Sequence, residues 1–275
     1  MPHIIVHTLI VLASLFLGIS QDPDENEALQ VRSLLDRMEK AHKSVEIFVS
    51  PLTYRKEYGL EGDFETRIGV VSMKGDGADR EMTLVFDRII DASGHGTDQP
   101  EFHMFKEGWW TELDPRRKRY IRRQIVEPGR ATDPFELGEG PLPLPLKQKP
   151  EQVLARFQVS IGSIPDEALF RSISEAEVLH LVPRPGTPAA EDHDSIDLLF
   201  EKESLLPIGV RLSHRNGDRT TAWLRKPSAR AEDDVTEGRL KQFESLLSST
   251  RTDPGWTIET RQLSPSPPAN EGSSE

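Results

Sequence analysis

The feature that most constrains the fold of this chain is an alternation of apolar and polar residues that recurs along residues 45–113. Residues 45–49 and 64–73 alternate with the period of a β-strand, with Val45, Ile47 and Val49 in the first run and Phe64, Ile68 and Val70 in the second. Short turns such as Gly75-Asp76-Gly77 separate the successive runs. Consecutive strands joined by short turns pair antiparallel, so the sequence predicts a meander of about five or six strands. Such a sheet has an apolar face, which another part of the chain has to cover.

A helix that precedes these strands is predicted to supply part of the cover. Residues 26–41 place Leu34, Leu35 and Met38 near one face at helical spacing. Acidic residues cluster at the start of this segment and basic residues at its end, as the helix dipole favours. The segment is therefore interpreted as one amphipathic helix that packs against the sheet.

The second half of the chain repeats the β pattern. Asn216-Gly217 is the clearest hairpin signal and predicts a type I′ turn. A further helix is predicted at residues 237–247, beyond a polar and acidic linker. The predicted strands of this half lie at residues 178–182, 195–201, 208–213, 220–224 and 257–261.

The stretch from residue 106 to residue 153 connects the two halves. It begins with a hairpin in which Asp114-Pro115 turns the chain between a strand containing Trp109 and Trp110 and a strand at residues 119–126. A short apolar segment around Phe135 follows. Residues 138–145 are rich in glycine and proline, so they form neither a regular helix nor a central strand. We therefore predict that this stretch crosses from one half of a curved sheet to the other.

The two ends of the chain are predicted to lie outside the folded domain. Residues 4–19 are mostly apolar but too short to span a bilayer comfortably, and Gly18-Ile19-Ser20 offers a cleavage site. Residues 1–20 are interpreted as a secretory signal peptide, with an uncleaved anchor as the alternative, and both imply the periplasm or another extracytoplasmic space. Residues 264–275 are rich in serine and proline and are predicted to be disordered. Residues 26–263 remain as a single β domain.

Composition and charge exclude several classes of function. The chain has no cysteine, which excludes disulfides, thiolate metal sites and a cysteine nucleophile. Its formal net charge of −12 argues against sequence-independent binding of nucleic acid, which needs a basic surface. His193 lies among acidic residues in a segment that is interpreted as a solvated turn rather than a metal site.

No catalytic residue, metal site or cofactor is predicted, and the protein is not expected to be an enzyme. A hydrolase triad is recognised by geometry, and a nucleophilic serine of that class commonly sits in a Gly-x-Ser-x-Gly elbow. Two sets of residues have the types of a triad but lie in no such elbow: Ser195, Asp197 and His193, and Ser213, His214 and Asp218.

The apolar side chains of the strands and of the first helix have two open interpretations. They form an ordinary core, or they line a cavity for an apolar ligand, because lipid pockets are mostly apolar and aromatic. Neighbouring strand residues point to opposite faces, so at most one of Trp109 and Trp110 is expected to face the concave side. The cavity candidates are Leu34, Met38, Phe86, Trp109, Trp110, Phe135, Leu198 and Phe200.

A basic patch follows the turn of the tryptophan hairpin. It is interpreted either as a solvated turn or as a surface that attracts an anionic lipid headgroup or an acidic partner. Its residues are Arg116, Arg117, Arg119 and Arg122.

Several segments, taken in order, resemble the outer-membrane lipoprotein-sorting protein superfamily, the LolA-like group. Residues 108–115, GWWTELDP, resemble a strand-and-turn motif of this family. Residues 133–145 resemble its crossing segment, which contains a Gly-x-Gly-Pro loop. Residues 198–200 and 206–208 resemble a strand pair joined by a Leu-Pro turn. The resemblance covers residues 26–225. The order of a leader, one amphipathic helix and a long antiparallel meander also resembles this family.

The resemblance implies a mainly β (α+β) fold, in which helices cover the concave face of a strongly curved antiparallel sheet, or half-open β-barrel. It also implies an apolar cavity that shields the acyl chains of a lipoprotein or of another lipid. The predicted function is therefore an extracytoplasmic carrier that acts as a monomer and binds no nucleic acid. Two alternatives are a binding or scaffold protein with a filled core, acting on an envelope partner, and a secreted enzyme.

Overall fold

The structure is a computed structural model. It describes residues 23–75, 79–98, 100–126, 137, 144, 146–230, 236–250 and 255–263. The predicted signal peptide, Phe135, most of the loop at 138–145 and the predicted tail lie outside the described residues. In the described part of the chain, no helix combines the length and the apolar character needed to cross a membrane.

Thirteen strands, counted over the described residues, form one open sheet. The alternation seen in the sequence accounts for most of them, since each long strand presents apolar side chains to at least one packed face. In chain order the strands are β1 (Ile47–Tyr58), β2 (Asp63–Lys74), β3 (Glu81–Asp91), β4 (Gly96–Thr97), β5 (Glu101–Lys106), β6 (Trp109–Asp114), β7 (Arg119–Gln124), β8 (Phe157–Ile161), β9 (Glu177–Pro183), β10 (His193–Phe200), β11 (Pro207–His214), β12 (Arg219–Leu224) and β13 (Thr257–Arg261).

The strand order across the sheet is β13-β7-β6-β5-β3-β2-β1-β12-β11-β10-β9-β8, with β4 paired to β3 alone. The two meanders therefore join where β1 pairs antiparallel with β12. Among the described strands, only β7 and β13 pair in parallel. The sheet does not close on itself, because β8 and β13 form its two edges. The prediction of a mainly β, half-open barrel is confirmed.

The helices of the described residues pack on both faces of this sheet. The first helix buries Val31, Leu34, Leu35 and Met38 as one stripe, and we call the face of the sheet that it covers the inner face. The α-helices are α1 (Pro23–His42), α2 (Pro150–Arg156), α3 (Ala189–Asp192) and α4 (Thr236–Thr250), and a 3-10 helix spans Ala168–Phe170.

Described residues between the two meanders lie on the inner face. The chain leaves β7 near one edge of the sheet and enters β8 at the opposite edge. We call residues 125–149 the crossing segment. Three of its described side chains, Leu137, Leu144 and Leu146, are at most 3% exposed and belong to the same core cluster as α1. These leucines therefore pack across the inner face, as the prediction of a crossing requires.

The outer face of the sheet is covered at two places. Phe243 of α4 packs with Val85, Phe102 and Leu113, and its ring lies edge-on to Phe102 at a centroid distance of 5.9 Å. Phe170 of the 3-10 helix forms a second cluster on the other meander. The helix predicted at residues 237–247 is therefore present, and it covers the side of the sheet opposite to α1.

Two local features depend on glycine. A Cβ on Gly69 would lie 1.9 Å from the carbonyl oxygen of Val85, at the point where the β2–β3 register shifts. In the β11–β12 hairpin, Gly217 has a φ of +86°, whereas Asn216 is not among the residues with positive φ. A type I′ turn needs positive φ at both central residues, so that prediction is wrong. The turn instead places one glycine in the left-handed region, with its N–H donating to the carbonyl of His214.

Candidate functional site

The inner face is the candidate site, because it is the largest apolar surface that the fold assembles. It draws residues from both meanders into one cluster, including Phe48 and Leu52 from β1 and Leu198 and Phe200 from β10. Each of these four side chains has 0% exposure. Strand alternation explains the cluster, since residues two apart on each strand share a face and register aligns them between strands.

Six of the eight cavity candidates lie together in this inner cluster. They are all at most 6% exposed. Trp109 is not part of it: the side chain is half-buried on the outer face, with the Arg122 guanidinium 4.2 Å from its ring centroid. The expectation that only one tryptophan of the pair faces inward therefore holds, and Phe135 lies outside the described residues. The six are Leu34, Met38, Phe86, Trp110, Leu198 and Phe200.

The cover of the inner face consists of segments that are not strands of the sheet. Polar contacts fix α1 along its length. The amide of Ile161 donates to Glu27 at 3.2 Å, and the Arg37 guanidinium lies 3.4 Å from Glu177 of β9. At the helix end, Nε2 of His42 donates to the carbonyl of Leu205 at 2.8 Å. These contacts are few, and apart from His42 they involve exposed groups.

His42 is the one buried titratable group among these contacts, with 1% exposure. Burial lowers the pKa of His42 below its ordinary value, although the hydrogen bond to Leu205 acts in the opposite direction. Nearby Lys147 of the crossing segment also lowers this pKa. The imidazole is therefore held neutral where α1 ends against the sheet.

A cleft of about 390 Å³ opens beside α1, at the edge of the sheet. Its walls include Leu29, Arg37, Ile161 and Glu177. Leu29 is 56% exposed and Ile161 is 39% exposed, so two large apolar side chains face solvent at this position. Leu34 of the inner cluster also lines the cleft, so the cleft borders the apolar interior.

The inner face becomes polar toward one end of the first meander. Rings of Tyr54, Phe86, His103 and Trp110 follow one another across the strands at centroid distances of 5.8, 5.8 and 5.7 Å. Next to this row, Nε2 of His103 donates to Glu101 at 2.8 Å. The strand pattern of β5 contains the signal, because Phe105, His103 and Glu101 are spaced by two, but sequence reasoning did not extend the inner face to them.

Glu101 is the most perturbed carboxylate of this polar end. Its burial alone would raise the pKa, but the hydrogen bond from His103 and the charge of Arg67 lower it to about 2. The Arg67 guanidinium donates to Glu101 at 2.9 Å and to Glu65 at 2.6 Å. The charges at this end are thus arranged as a compact ion network rather than as a free acid or base.

The outer face of the second meander carries another ion network. Asp197 has 5% side-chain exposure and accepts hydrogen bonds from Nδ1 of His180 at 2.7 Å and from Nε of Arg211 at 2.7 Å. Arg211 also approaches Glu167 at 3.5 Å. His180 is thus a locally bonded strand residue, and the Arg211 guanidinium offsets the charge of Asp197.

Several residues of the two sets of triad composition make contacts outside their own set. His193 and His214 stack at a centroid distance of 4.9 Å, and Nε2 of His214 shares a hydrogen bond with the Thr220 hydroxyl at 2.9 Å. Asp197 belongs instead to the network with His180. Within the described ranges, no group of three or more histidine, aspartate or glutamate side chains is placed to hold a metal ion.

The basic patch lies at the β6–β7 turn and along β7. Arg116, Arg117, Arg119 and Arg122 are all exposed. Arg117 pairs with Asp114 at 3.0 Å and Arg119 with Glu112 at 3.4 Å. The patch is therefore solvent-accessible and lies next to the edge strand β13.

No protein-family model and no curated protein matches the sequence. Matched solved structures include MucB, with 13% identity and a TM-score of 0.40, over 76% of this chain and 62% of MucB. An uncharacterized conserved protein from Thermus thermophilus matches with 12% identity and a TM-score of 0.40, over 84% of this chain and 99% of its own. A LolA superfamily protein from Nitrosomonas europaea matches with 11% identity and a TM-score of 0.27, over 73% of this chain and 93% of its own.

The matched structures thus include the superfamily that the sequence motifs resemble. The chain spans less than two thirds of MucB. Similarity at these identities and TM-scores says nothing about what this chain binds, and fold alone does not determine function.

Proposed function

We propose that the protein is a non-catalytic, extracytoplasmic carrier that holds the acyl chains of a lipoprotein or of another lipid against its inner face. One observation supports this proposal above the others: the inner face is apolar across both meanders, while its cover is made of α1, α2 and the crossing segment. None of the described residues of these covering segments belongs to a strand of the sheet. They are therefore able to move away while the sheet keeps its hydrogen bonds.

Uptake of a lipid then requires no chemistry. In the ligand-free protein, Leu137, Leu144 and Leu146 occupy the inner face. An acyl chain takes their place and shifts the population toward an open state. Displacing three buried leucines costs about 4.5–9 kcal/mol, whereas burying a chain of about 14 methylenes returns about 11 kcal/mol. The leucines therefore offset a large part of the gain on loading, which makes release easier than from an empty cavity.

The entrance proposed for the chain is the cleft between α1 and the β8–β9 edge. Exposed Leu29 and Ile161 provide apolar contacts at its mouth, and Leu34 leads to the inner cluster. Arg37 and Glu177 face each other across this cleft at 3.4 Å. Separation of this exposed pair costs little, because surface ion pairs contribute only about 0–1 kcal/mol.

Extracytoplasmic location is part of the proposal. It is supported by the apolar segment at residues 4–19, which is interpreted as a secretory signal peptide. An envelope protein partner that receives the lipid is compatible with this location.

The alternative is an envelope binding protein with the same fold and a permanently filled core. It is favoured by the burial of the six cavity candidates that belong to the inner cluster, none of which exceeds 6% exposure. The two functions differ in one respect only, which is whether α1 and the crossing segment leave the inner face.

A crosslinking experiment distinguishes them, and the chain is suited to it because it has no native cysteine. In Arg37→Cys/Glu177→Cys, a short thiol–thiol crosslinker joins α1 to β9 across the cleft. The matched control, Arg32→Cys/Glu151→Cys, replaces an α1–α2 ion pair of 2.6 Å whose residues do not line the cleft. Binding of a fluorescent fatty acid is measured for both variants before and after crosslinking.

The carrier is supported if the crosslink across the cleft abolishes probe binding while the control crosslink leaves it within about twofold. It is rejected in favour of the filled-core protein if the uncrosslinked protein binds no probe. Binding that is equally strong with the cleft crosslinked rejects the proposed entrance and the displacement of α1.

A further inference from the structure

The turn and strand after Asp114 concentrate positive charge on an acidic protein. From Asp114 to Gln124 the sequence DPRRKRYIRRQ contains six basic residues and one acidic residue, whereas the whole chain has a formal net charge of −12. We call Arg116, Arg117, Lys118, Arg119 and Arg122 the basic edge. All five are exposed, and they lie beside β13, the edge strand of the sheet.

The acidic residues nearby neutralise only part of this charge. Asp114 and Glu112 accept from Arg117 and Arg119, and their side chains are only 6% and 17% exposed. These carboxylates therefore lie beneath the guanidinium groups rather than among them. In the part of the chain that the structure describes, Arg116 forms no ion pair, and the contact of Arg122 is the stack on Trp109 at 4.2 Å.

Apolar and aromatic side chains surround the same charges. Ile258 of β13 is 55% exposed and lies opposite Tyr120 in the parallel β7–β13 register. Trp256, which precedes β13, and Trp109 are both half-buried. The amide of Thr257 donates to the carbonyl of Lys118 at 2.8 Å, so the basic turn and the start of β13 are held together.

We infer that the basic edge docks on the surface of a lipid bilayer that contains anionic headgroups. Cationic side chains near such a surface each strengthen binding about fivefold. Tryptophan, tyrosine and a few separate aliphatic side chains suit the headgroup region, where one side of a residue is apolar and the other is hydrated. An acidic protein partner would match the charges of the basic edge but would not account for the exposure of Ile258. The remaining surface is net acidic and is repelled by the bilayer, which orients the protein.

This docking surface is distinct from the inner face, and it stands whether or not the inner face takes up acyl chains. The occupant is the intact bilayer surface, and no lipid has to leave the membrane. The two proposals therefore fail independently: a protein that binds vesicles but no fatty acid retains the docking surface, and the reverse result retains the carrier.

The test is flotation of the full chain with large unilamellar vesicles of phosphatidylcholine, with and without about one third phosphatidylglycerol. Each is measured at low and at high salt, because screening shortens the reach of surface charges. The edge variant is Arg116→Glu/Arg122→Glu. The matched control is Lys40→Glu/Arg171→Glu, which makes the same change in net charge at two exposed positions outside the basic edge.

We expect binding to the anionic vesicles alone, loss of binding at high salt, and at least tenfold weaker binding by the edge variant. The control should stay within about twofold of the unmodified protein. Arg116→Glu alone, at a turn residue without an ion pair in the described chain, should weaken binding severalfold without any effect on folding, which circular dichroism checks.

Three results would overturn the inference. They are an absence of binding to anionic vesicles, equal binding to neutral vesicles, and an equal loss of binding in the control variant. Binding of soluble polyglutamate without binding of vesicles would assign the basic edge to an acidic protein partner and would also overturn it.

Discussion

Substitution of Leu144 by alanine is expected to weaken folding and to strengthen lipid binding at the same time. Leu144 belongs to the crossing segment, is 0% exposed and packs in the inner cluster. If an acyl chain takes its place, the side chain contributes to the closed state but not to the loaded one. Truncation then destabilises only the state that competes with the ligand.

The structure sets the size of both effects. Replacement of a fully buried leucine by alanine costs about 2–5 kcal/mol of unfolding free energy, through lost transfer energy and the cavity left behind. If the closed state loses about 2 kcal/mol relative to the open state, the apparent Kd for a fatty-acid probe falls about 30-fold. The gain stops when the open state becomes the major one.

Leu113→Ala is the matched control. Leu113 is also 0% exposed, but it lies on the outer face in the cluster with Phe243. The same substitution there should lower the unfolding free energy by a similar amount and leave probe affinity within about twofold. Urea denaturation gives the stability of both variants, and fluorescence titration gives the affinity.

Equal probe affinity of Leu144→Ala and Leu113→Ala would refute the reasoning, provided that both variants are destabilised. It would mean that Leu144 stays in place when the probe binds. Weaker binding by Leu144→Ala would refute it as well, because the leucine would then be part of the ligand contact.

Three further predictions concern stability. Burial lowers the pKa of His42 and of His214, so the unfolded chain binds more protons than the folded protein. The unfolding free energy is therefore expected to fall as the pH falls below about 6.5. Urea midpoints at pH 7.5 and 5.5 measure this pH dependence, and His42→Gln should reduce it. Glu101, with a pKa of about 2, stays ionised over that range and does not contribute. Gly69→Ala should prevent stable folding, because its Cβ would lie 1.9 Å from the Val85 carbonyl oxygen. In α4, a Cβ on Gly238 would have nothing within 4 Å, so Gly238→Ala should raise the unfolding free energy by about 0.5–1 kcal/mol.

The sequence was sufficient for the strands and for the two helices with strong apolar stripes. Period-two alternation is imposed by the pleat of a strand, so it survives without tertiary information. It also predicted that at most one tryptophan of the pair faces inward: Trp110 belongs to the inner cluster, and Trp109 faces outward with Arg122. Candidates on strands that alternate regularly, such as Phe86 and Leu198, consequently fall on the inner face.

Pairings between distant segments could not be predicted in the same way. The parallel contact of β13 with β7 joins residues that are more than 130 positions apart, and neither strand carries a signal for its partner. The face of the sheet that α4 covers could not be predicted either, because an amphipathic stripe indicates that a helix packs but not on which face. The burial of the leucines of the crossing segment was not predicted, because the Gly/Pro-rich sequence was interpreted only for its effect on backbone conformation.

Polar positions on the inner face were missed for a related reason. Glu101 and His103 continue the alternation of β5, yet charged side chains in a strand are ordinarily assigned to the solvent side. The structure places Glu101 beside Arg67 and places His103 in the ring row that ends at Trp110, and only the arrangement of several strands provides these neighbours.

The measurement that tests the central claim most directly is mass spectrometry of the protein purified from its own host under non-denaturing conditions. A carrier is predicted to retain acyl-chain lipid, released on denaturation in an amount comparable to the protein. Protein that is consistently free of lipid, together with no binding of a fluorescent fatty acid, would contradict the account and leave the filled-core binding protein in its place.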